Sequence, residues 1–264
     1  MSAQDGIKGT LVELRPTRYL EPRKDDADRA AGEAALIILN SPLTNVEYFA
    51  RLYRHASFHL CADGGANRLY DLLQRVSSGE ALQNFKPDII HGDLDSLDEK
   101  VRKRYEQMGV EISQDPDQYS TDFGKGIKKV IERLPNVRDI LVLGSLGGRV
   151  DQGIGLLHEL YREQVHRHPG VRFWLFTESS VSTLLRPGTT LIHTPLAARL
   201  IKRNIGILPL YGPAVIGTKG LEWDVQHWPT EMGGQVSTSN HIKQDRIEIT
   251  TDKDVLFTVE RAHM

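Results

Sequence analysis

Short, continuous apolar runs alternate with segments of helical periodicity from Ala34 to Phe176. The first run spans residues 34–39, and further strand-like segments with an apolar centre follow at 58–62, 88–91, 139–143 and 171–176. Strands buried on both faces have this appearance, which is typical of a parallel sheet covered by helices. The alternation therefore predicts an α/β region with a mostly parallel, Rossmann-like sheet and helices on both of its faces.

The pattern changes near Glu178. Helical periodicity fades, and short stretches of alternating apolar and polar residues follow between Gly and Pro breaks. The last two stretches, at 247–251 and 255–259, predict a hairpin across Asp252 and Lys253. We predict three parts: an N-terminal extension with a polar linker (1–33), which could include a short strand at 9–14, an α/β domain (34–178) and an antiparallel β-sandwich (179–264).

Composition argues against several classes of function. The 264-residue chain has a formal net charge of −2, which does not support a nucleic-acid-binding surface. Its single cysteine, Cys61, excludes an intrachain disulfide and is expected to be a buried structural thiol, which fits a cytoplasmic protein. No apolar run approaches the ~20 residues that a membrane span requires, so we expect no membrane partner.

Carboxylates follow the predicted strands repeatedly. Asp63 follows the run at 58–62, Asp93 and Asp95 follow the run at 88–91, and Asp122 begins a helix. Because ligands collect at the carboxyl ends of parallel strands, we expect these side chains to share one site. Clustered carboxylates suit Mg²⁺, which usually holds substrate phosphates as well. Each aspartate can alternatively be explained as a helix cap or a surface turn.

Two helix starts are predicted beside these carboxylates. Ser120 or Thr121 can cap the helix that begins at Asp122, and Ser96 can cap another that begins at the next residue. Lys125 lies one turn into the first helix. It is equally well explained as a solvated lysine or as a group that screens the carboxylates or reaches a phosphate.

Two glycine-rich turns are candidates for anion binding. Gly64 and Gly65 allow a close backbone approach before a helix, and the turn at 144–148 contains Gly147. Arg149 could pair with phosphate oxygens bidentately, and Asp151 either contacts a ligand or caps the following helix. Neither turn matches the Walker A or Gly-x-Gly-x-x-Gly sequences.

The C-terminal third offers two further candidates. Trp223 follows a glycine turn and could stack on a flat heterocycle, although a position in the sandwich core is the preferred interpretation from the residues alone. The hydroxyl-rich stretch VSTSN at 236–240 could bind a polar ligand or simply form a turn.

Taken together, these motifs resemble the thiamine pyrophosphokinases of the eukaryotic type. The resembling pieces occur in order at residues 62–71, 87–96, 117–123, 143–152, 220–225 and 236–240, within a match that runs from Ala34 to the C-terminus. The resemblance implies that the diphosphate of ATP is transferred to the hydroxyl of thiamine, giving thiamine diphosphate and AMP. It also implies a homodimer with active sites at the subunit interface.

The resemblance further assigns roles to individual residues. The α/β domain would be catalytic and the β-sandwich would bind thiamine. Mg²⁺ and the triphosphate would be held by the catalytic residues Asp93, Asp95 and Asp122. Nucleotide contacts would come from Asp63, Gly64, Gly65, Lys125, Gly147, Arg149 and Asp151. Gln118 would hydrogen-bond the aminopyrimidine of thiamine and Trp223 would stack on that ring, beside Ser237, Ser239 and Asn240.

Two alternative functions stay open. Another Mg-dependent Asp-x-Asp enzyme, a nucleotidyl- or glycosyltransferase, would explain the carboxylates but not Trp223 with the serine-rich stretch. A non-catalytic thiamine or nucleotide sensor would predict loss of the acidic cluster, which is intact in this sequence.

Overall fold

The computed structural model describes residues 11–23, 34–76 and 80–263. Within these ranges the chain divides into two units: an α/β unit of residues 21–178, and a β unit of residues 11–20 with 179–263. The first strand, β1 (Val12–Leu14), belongs to the β unit, although the sequence placed it in an N-terminal extension. Residues 24–33 of the predicted linker lie outside the described residues. None of the helices in the described ranges is long and apolar enough to cross a membrane.

Strands and helices alternate along the α/β unit, as the apolar runs predict. The strands are β2 (Ala34–Ile38), β3 (Phe58–Ala62), β4 (Ile89–Gly92), β5 (Glu111–Gln114), β6 (Asp139–Leu143) and β7 (Arg172–Phe176). The helices are α1 (Val46–His55), α2 (Gly65–Gln74), α3 (Glu80–Asn84), α4 (Glu99–Gln107), α5 (Asp122–Arg133) and α6 (Val150–Tyr161), which continues into a π-helical turn (Arg162–Arg167).

The sheet of this unit is parallel, with the strand order β7-β6-β2-β3-β4-β5. The chain builds it outward from β2 to β5 and then returns to the other side of β2 with β6 and β7. The right-handed rule for such crossovers predicts α1 to α4 on one face and α5 and α6 on the other. Accordingly, α2 contacts α4, and α5 contacts α6. The carboxyl ends of β2 and β6 flank the point where the strand order reverses, where such sheets bind ligands.

The two helix starts beside the acidic residues differ in how well they were predicted. Thr121 caps α5 as expected, because its Oγ1 accepts a hydrogen bond from the Gly124 N–H at 3.1 Å. The predicted start of α4 was wrong, because α4 begins at Glu99 with Asp98 at its N-cap position. Ser96 lies three residues before α4, and its N–H and its hydroxyl both donate to aspartates of the acidic motifs.

The β unit contains the remaining strands. They are β8 (Ser180–Leu185), β9 (Gly188–His193), β10 (Ile201–Leu208), β11 (Ala214–Lys219), β12 (Trp228–Thr230), β13 (Ser237–His241), β14 (Arg246–Thr251) and β15 (Val255–Arg261). One sheet has the order β1-β9-β14-β11-β12, and a second layer has the order β13-β10-β15-β8. Pairing is antiparallel except between β1 and β9. The predicted fold class, an α/β sheet followed by an antiparallel β-sandwich, is confirmed.

The hairpin predicted across Asp252 and Lys253 is wrong. β14 pairs with β9 and β11, whereas β15 pairs with β8 and β10 in the other sheet. Ile247 on β14 and Phe257 on β15 are both buried. Strands in opposite sheets can turn their apolar faces toward one shared core, so the connection crosses between the sheets instead of forming a tight hairpin.

Candidate active site

Three aspartates meet at the carboxyl edge of the parallel sheet. Asp63 follows β3, Asp93 follows β4 and Asp122 is the first residue of α5. A carboxylate oxygen from each lies within 4.8 Å of the others. The strand ends bring β3 and β4 side by side, and α5 crosses the sheet so that its N-terminus reaches the same edge. The cluster therefore joins residues that are far apart in sequence.

The cluster places several carboxylates in a site that is partly shielded from solvent. Asp63 is buried, and its Oδ2 accepts a hydrogen bond from the Ser96 N–H at 3.2 Å, whereas its Oδ1 is buried with no hydrogen-bond partner among the described residues. Burial raises the pKa of Asp63 above its usual range. Burial, and then the charges of Asp63 and Asp93, raise the pKa of Asp122 to about 6. Buried carboxylate oxygens without donors are costly unless a cation or a proton meets them.

Glycine lets the carboxylates approach one another. A Cβ on Gly92, at the end of β4, would lie 3.0 Å from the Asp63 Cβ and 3.3 Å from Oδ1 of Asp122. Asp63 and Leu94 are themselves in the left-handed region, with φ values of 44° and 67°. Such backbone conformations cost free energy in non-glycine residues and are concentrated at functional sites.

Asp95 lies outside the close cluster. Its side chain is exposed and accepts a hydrogen bond from the Ser96 hydroxyl at 2.9 Å, while its backbone N–H donates to Asp93 Oδ1 at 3.3 Å. Asp95 thus supports the loop that carries Asp93. Of the three residues predicted to hold a metal, the structure brings Asp93 and Asp122 together and adds Asp63 to them.

Lys125 is buried against the cluster. Only 2% of its surface is exposed, and its Nζ lies 3.3 Å from Oδ2 of Asp93. The interpretation of Lys125 as a solvated side chain is therefore wrong. Burial alone would raise the pKa of Asp93, but hydrogen bonds from the Asp95 N–H and from Lys125 lower it below its usual value. The ammonium group offsets part of the charge of the cluster.

A cleft of about 660 Å³ opens beside the cluster where the strand order reverses. Its walls come from the loops after β2 and β6 and from the start of α5, including Asn40, Ser41, Asp122, Gly147, Gly148, Arg149 and Asp151. The glycine loop after β6 turns through φ values of 80° at Gly144 and 88° at Gly148, and the Ser41 hydroxyl donates to the Gly147 carbonyl at 3.3 Å. These features suit a groove that receives an anionic ligand.

Only some of the residues predicted to contact the nucleotide line this cleft. Arg149 and Asp151 line it, but they pair with each other through contacts of 2.6 Å and 3.1 Å. Gly64 and Gly65 are buried, and a Cβ on Gly65 would lie 2.2 Å from the Ile38 carbonyl oxygen. Their immediate role is close packing of α2 against the end of β2.

Several residues of the cleft were not predicted from the sequence, among them Asn40, Ser41 and Arg68. Asn40 and Ser41 follow β2, and Arg68 lies in the first turns of α2. The signal that could have found Asn40 and Ser41 is topological. They follow the strand at which the order reverses, although no charged or glycine-rich pattern marks them.

The loop between β5 and α5 presents Gln118 to solvent. Asp117 holds the loop by accepting hydrogen bonds from the Tyr119 N–H at 2.9 Å and the Ser120 hydroxyl at 2.5 Å. Gln118 itself is exposed, as are its neighbours. A second cleft, of about 550 Å³, borders this loop and is lined by Lys125 and Lys128 among others. Gln118 is therefore open to solvent, but it is not among the residues that line this cleft.

In the β unit, the side chain of Trp223 faces solvent. It is 57% exposed, so the interpretation of this residue as sandwich core is wrong. The buried Asn240 fixes its backbone: Asn240 Oδ1 accepts from the Trp223 N–H at 3.2 Å, and Asn240 Nδ2 donates to the Trp223 carbonyl at 2.9 Å. The His241 ring lies 5.2 Å from the indole. Ser237 is half-buried and Ser239 is exposed on β13.

The α/β unit has an acidic cleft, and the β-sandwich of the same chain has an exposed aromatic ring. Together these features define a class of enzyme that acts on phosphate groups. Residues 49–173 match the family described as thiamin pyrophosphokinase, catalytic domain, and residues 189–256 match thiamin pyrophosphokinase, vitamin B1 binding domain. The chain belongs to the thiamine pyrophosphokinase family. The family, function and enzyme class predicted from the sequence, those of a thiamine diphosphokinase, are confirmed.

Relatives extend over nearly the whole chain. Thiamine pyrophosphokinase 1 of Arabidopsis thaliana is 36% identical over 98% of this chain and 95% of its own. Thiamine pyrophosphokinase 1 of Oryza sativa subsp. japonica is 32% identical over 93% of this chain and 94% of its own. Among solved structures, thiamin pyrophosphokinase from Candida albicans superposes with a TM-score of 0.80 at 25% identity, covering 95% of this chain and 93% of that one.

Proposed function

We propose that this chain transfers the terminal diphosphate of ATP to the hydroxyl of thiamine and releases AMP, using Mg²⁺ held by Asp63, Asp93 and Asp122. The observation that carries the proposal is the convergence of these three carboxylates within 4.8 Å, beside a cleft at the carboxyl edge of a parallel sheet. Phosphoryl-group transfer depends mostly on alignment and charge neutralisation, and this arrangement is suited to both.

The donor set fits Mg²⁺. All three groups offer hard carboxylate oxygens, and the buried Oδ1 of Asp63 has no other hydrogen-bond partner in the described ranges. Asp95, exposed at the edge of the same loop, is the fourth carboxylate that the sequence assigns to the site. When bound, Mg²⁺ neutralises phosphate charge and orients the group to be transferred.

The residues of the chain bind and align the two substrates. The cleft beside Asp122 takes the nucleotide, with Gly147, Arg149 and Asp151 along its wall, and Lys125 supplies positive charge at the cluster. The thiamine hydroxyl oxygen forms a bond to the β-phosphorus of ATP. The bond between that phosphorus and the oxygen bridging to the α-phosphorus breaks, and AMP leaves with the bond electrons. One of the aspartates of the site accepts the hydroxyl proton.

The family resemblance assigns thiamine contacts to residues of each unit. Gln118 hydrogen-bonds the aminopyrimidine, and Trp223 stacks on that ring beside Ser237 and Ser239, while Asn240 sets the position of the tryptophan. The exposure of Trp223 and the hydrogen bonds that Asn240 gives its backbone support these roles.

The remaining proposals come from the family resemblance. The α/β region (34–178) is the catalytic domain, and the sandwich (179–264) is the thiamine-binding domain. The enzyme acts in the cytoplasm as a homodimer with active sites at the subunit interface, without a nucleic-acid or membrane partner. Sedimentation of the purified protein tests the dimer, since a monomer at working concentration would contradict it.

Product analysis tests the reaction. Purified protein with thiamine and Mg·ATP is expected to form thiamine diphosphate and AMP in equal amounts. Formation of ADP and thiamine monophosphate would exclude diphosphate transfer, and binding of both substrates without turnover would favour a sensor.

A substitution then tests the site. Asp93→Asn is expected to abolish turnover while circular dichroism shows an intact fold. Asp71→Asn, an exposed residue of α2, serves as the control and should retain activity. Near-normal turnover by Asp93→Asn would remove Asp93 from the metal site.

A further inference from the structure

The cleft beside the acidic cluster has few positive charges to offer a polyphosphate. Two arginines line it, Arg68 and Arg149. Arg149 is engaged by Asp151 through two contacts, at 2.6 Å and 3.1 Å. Arg68 has no carboxylate partner within the described part of the chain. Arg68 is therefore the arginine of this cleft whose charge no described carboxylate neutralises. It was not predicted from the sequence as a site residue.

Arg68 is oriented through one nitrogen only. Its Nε donates to Oδ1 of Asn40, the residue shortly after β2, at 2.8 Å. A guanidinium carries five N–H donors in a planar fork, so this contact leaves the two terminal NH₂ groups available. A neutral amide fixes the direction of the side chain without cancelling its charge. An arginine held in this way is prepared to bind phosphate oxygens.

We infer that Arg68 is a further phosphate-binding residue of the nucleotide cleft and that Asn40 positions it. This inference rests on the proposed function, because it assumes that the cleft receives the polyphosphate of a nucleotide.

The glycine turn after β3 makes this arrangement possible. A Cβ on Gly64 would lie 2.4 Å from Nδ2 and 2.8 Å from Cγ of Asn40. Any side chain at this position would displace the Asn40 amide from Arg68. Gly64 therefore serves the nucleotide site indirectly, by leaving room for the residue that orients the arginine.

The helix that carries Arg68 is also tied to the acidic loop. Asn67, the preceding residue, donates from Nδ2 to the Ser96 carbonyl at 2.7 Å and accepts from the Asp98 N–H at 3.1 Å. The position of Arg68 is therefore linked to the loop that carries Asp93. The start of α2 thus contacts the acidic loop through Asn67 and contributes Arg68 to the cleft.

Direct binding measurements test the inference without relying on turnover. In the presence of Mg²⁺, calorimetry with inorganic tripolyphosphate should show that Arg68→Ala weakens affinity by about 10- to 100-fold, the usual effect of losing hydrogen bonds to a charged group. Affinity for adenosine, which lacks phosphates, should stay within about twofold. Arg75→Ala, which removes an exposed arginine at the end of the same helix, should leave both affinities unchanged.

A second variant separates phosphate binding from a structural role. Asn40→Ala removes the acceptor that orients Arg68 without adding a charge to the cleft. We expect a several-fold loss of tripolyphosphate affinity with an undiminished melting temperature, whereas a purely structural Arg68 predicts unchanged affinity. In the Arg68→Ala background, Asn40→Ala should add less than about a twofold further loss.

The outcomes separate the inference from the proposed function. Tripolyphosphate affinity of Arg68→Ala within about twofold of the wild-type value, in a folded protein, would overturn the inference even if thiamine diphosphate is formed. Loss of tripolyphosphate affinity in a protein that forms no thiamine diphosphate would instead support the phosphate site while refuting the proposed reaction. In an active enzyme, the KM for ATP should rise in Arg68→Ala while the KM for thiamine stays unchanged.

Discussion

Removing the charge of Asp122 should stabilise the metal-free protein while destroying its activity. Asp122 lies in the carboxylate cluster, and its pKa is raised from 3.8 to about 6, first by burial and then by Asp63 and Asp93. A rise of this size corresponds to about 3 kcal/mol against the charged form. Screening of this partly exposed group and its favourable place at the start of α5 reduce the effect. We therefore expect Asp122→Asn to gain about 1–2 kcal/mol at pH 7.5.

The pH dependence follows from the direction of the shift. Because the pKa of Asp122 is higher in the folded than in the unfolded protein, the folded state binds the proton more tightly. The resulting stability is fully present below the unfolded value of 3.8 and is lost as the pH rises through about 6. The advantage of Asp122→Asn over the wild type should therefore be largest at pH 7.5 and should vanish near pH 4.

Thermal unfolding in the presence of a chelator provides the assay. For a chain of this size, a gain of 1–2 kcal/mol corresponds to about 2–8 °C in the melting temperature. Asp71→Asn, on the exposed face of α2, is the matched control and should not shift it. Added Mg²⁺ should raise the melting temperature of the wild type more than that of Asp122→Asn. A metal-free variant that melts below the wild type at pH 7.5, or a difference that persists at pH 4, would refute the electrostatic reasoning.

Further predictions concern Trp223, Asn240 and Cys61. Trp223→Ala should raise the KM for thiamine about tenfold, the scale of one aromatic stacking interaction, yet change the free energy of unfolding by less than about 0.5 kcal/mol because the ring is 57% exposed. Asn240→Ala should reproduce most of the KM effect, and saturation kinetics with an unchanged KM would contradict both roles. Burial raises the pKa of the Cys61 thiol, so we expect no reaction with an aromatic disulfide reagent until the protein is denatured. Rapid colour development with the native protein would contradict this expectation.

Local sequence patterns were sufficient to predict most of the strands and helices of the α/β unit. The runs that became β2, β3, β6 and β7 are mostly apolar, and the burial of nearly every residue in them is the physical cause of that pattern. Edge strand β5 escaped prediction because its residues, Glu111–Gln114, are exposed or half-buried and carry no apolar run. A hydrophobic pattern marks only strands that the core covers.

Long-range pairing was beyond the reach of such patterns. The strands β14 and β15 each show the expected alternation, but alternation is the same whether neighbouring strands pair or lie in opposite sheets. The predicted hairpin failed for this reason. The start of α4 was misplaced because hydrogen bonds to distant segments hold the loop before it: the Ser96 N–H donates to Asp63 and the Asp98 N–H donates to Asn67.

The order of residues along the chain was enough to predict which carboxylates follow strands, since strand ends are marked by local hydrophobic runs and turn chemistry. It also carried the motifs from which the family was identified. The folded chain alone established that Asp63, and not Asp95, completes the close cluster, that Lys125 is buried against Asp93, and that Trp223 faces outward. Charge compensation, exposure and the orientation of the Arg68 guanidinium by Asn40 depend on which distant segments pack together, and no local pattern records that packing.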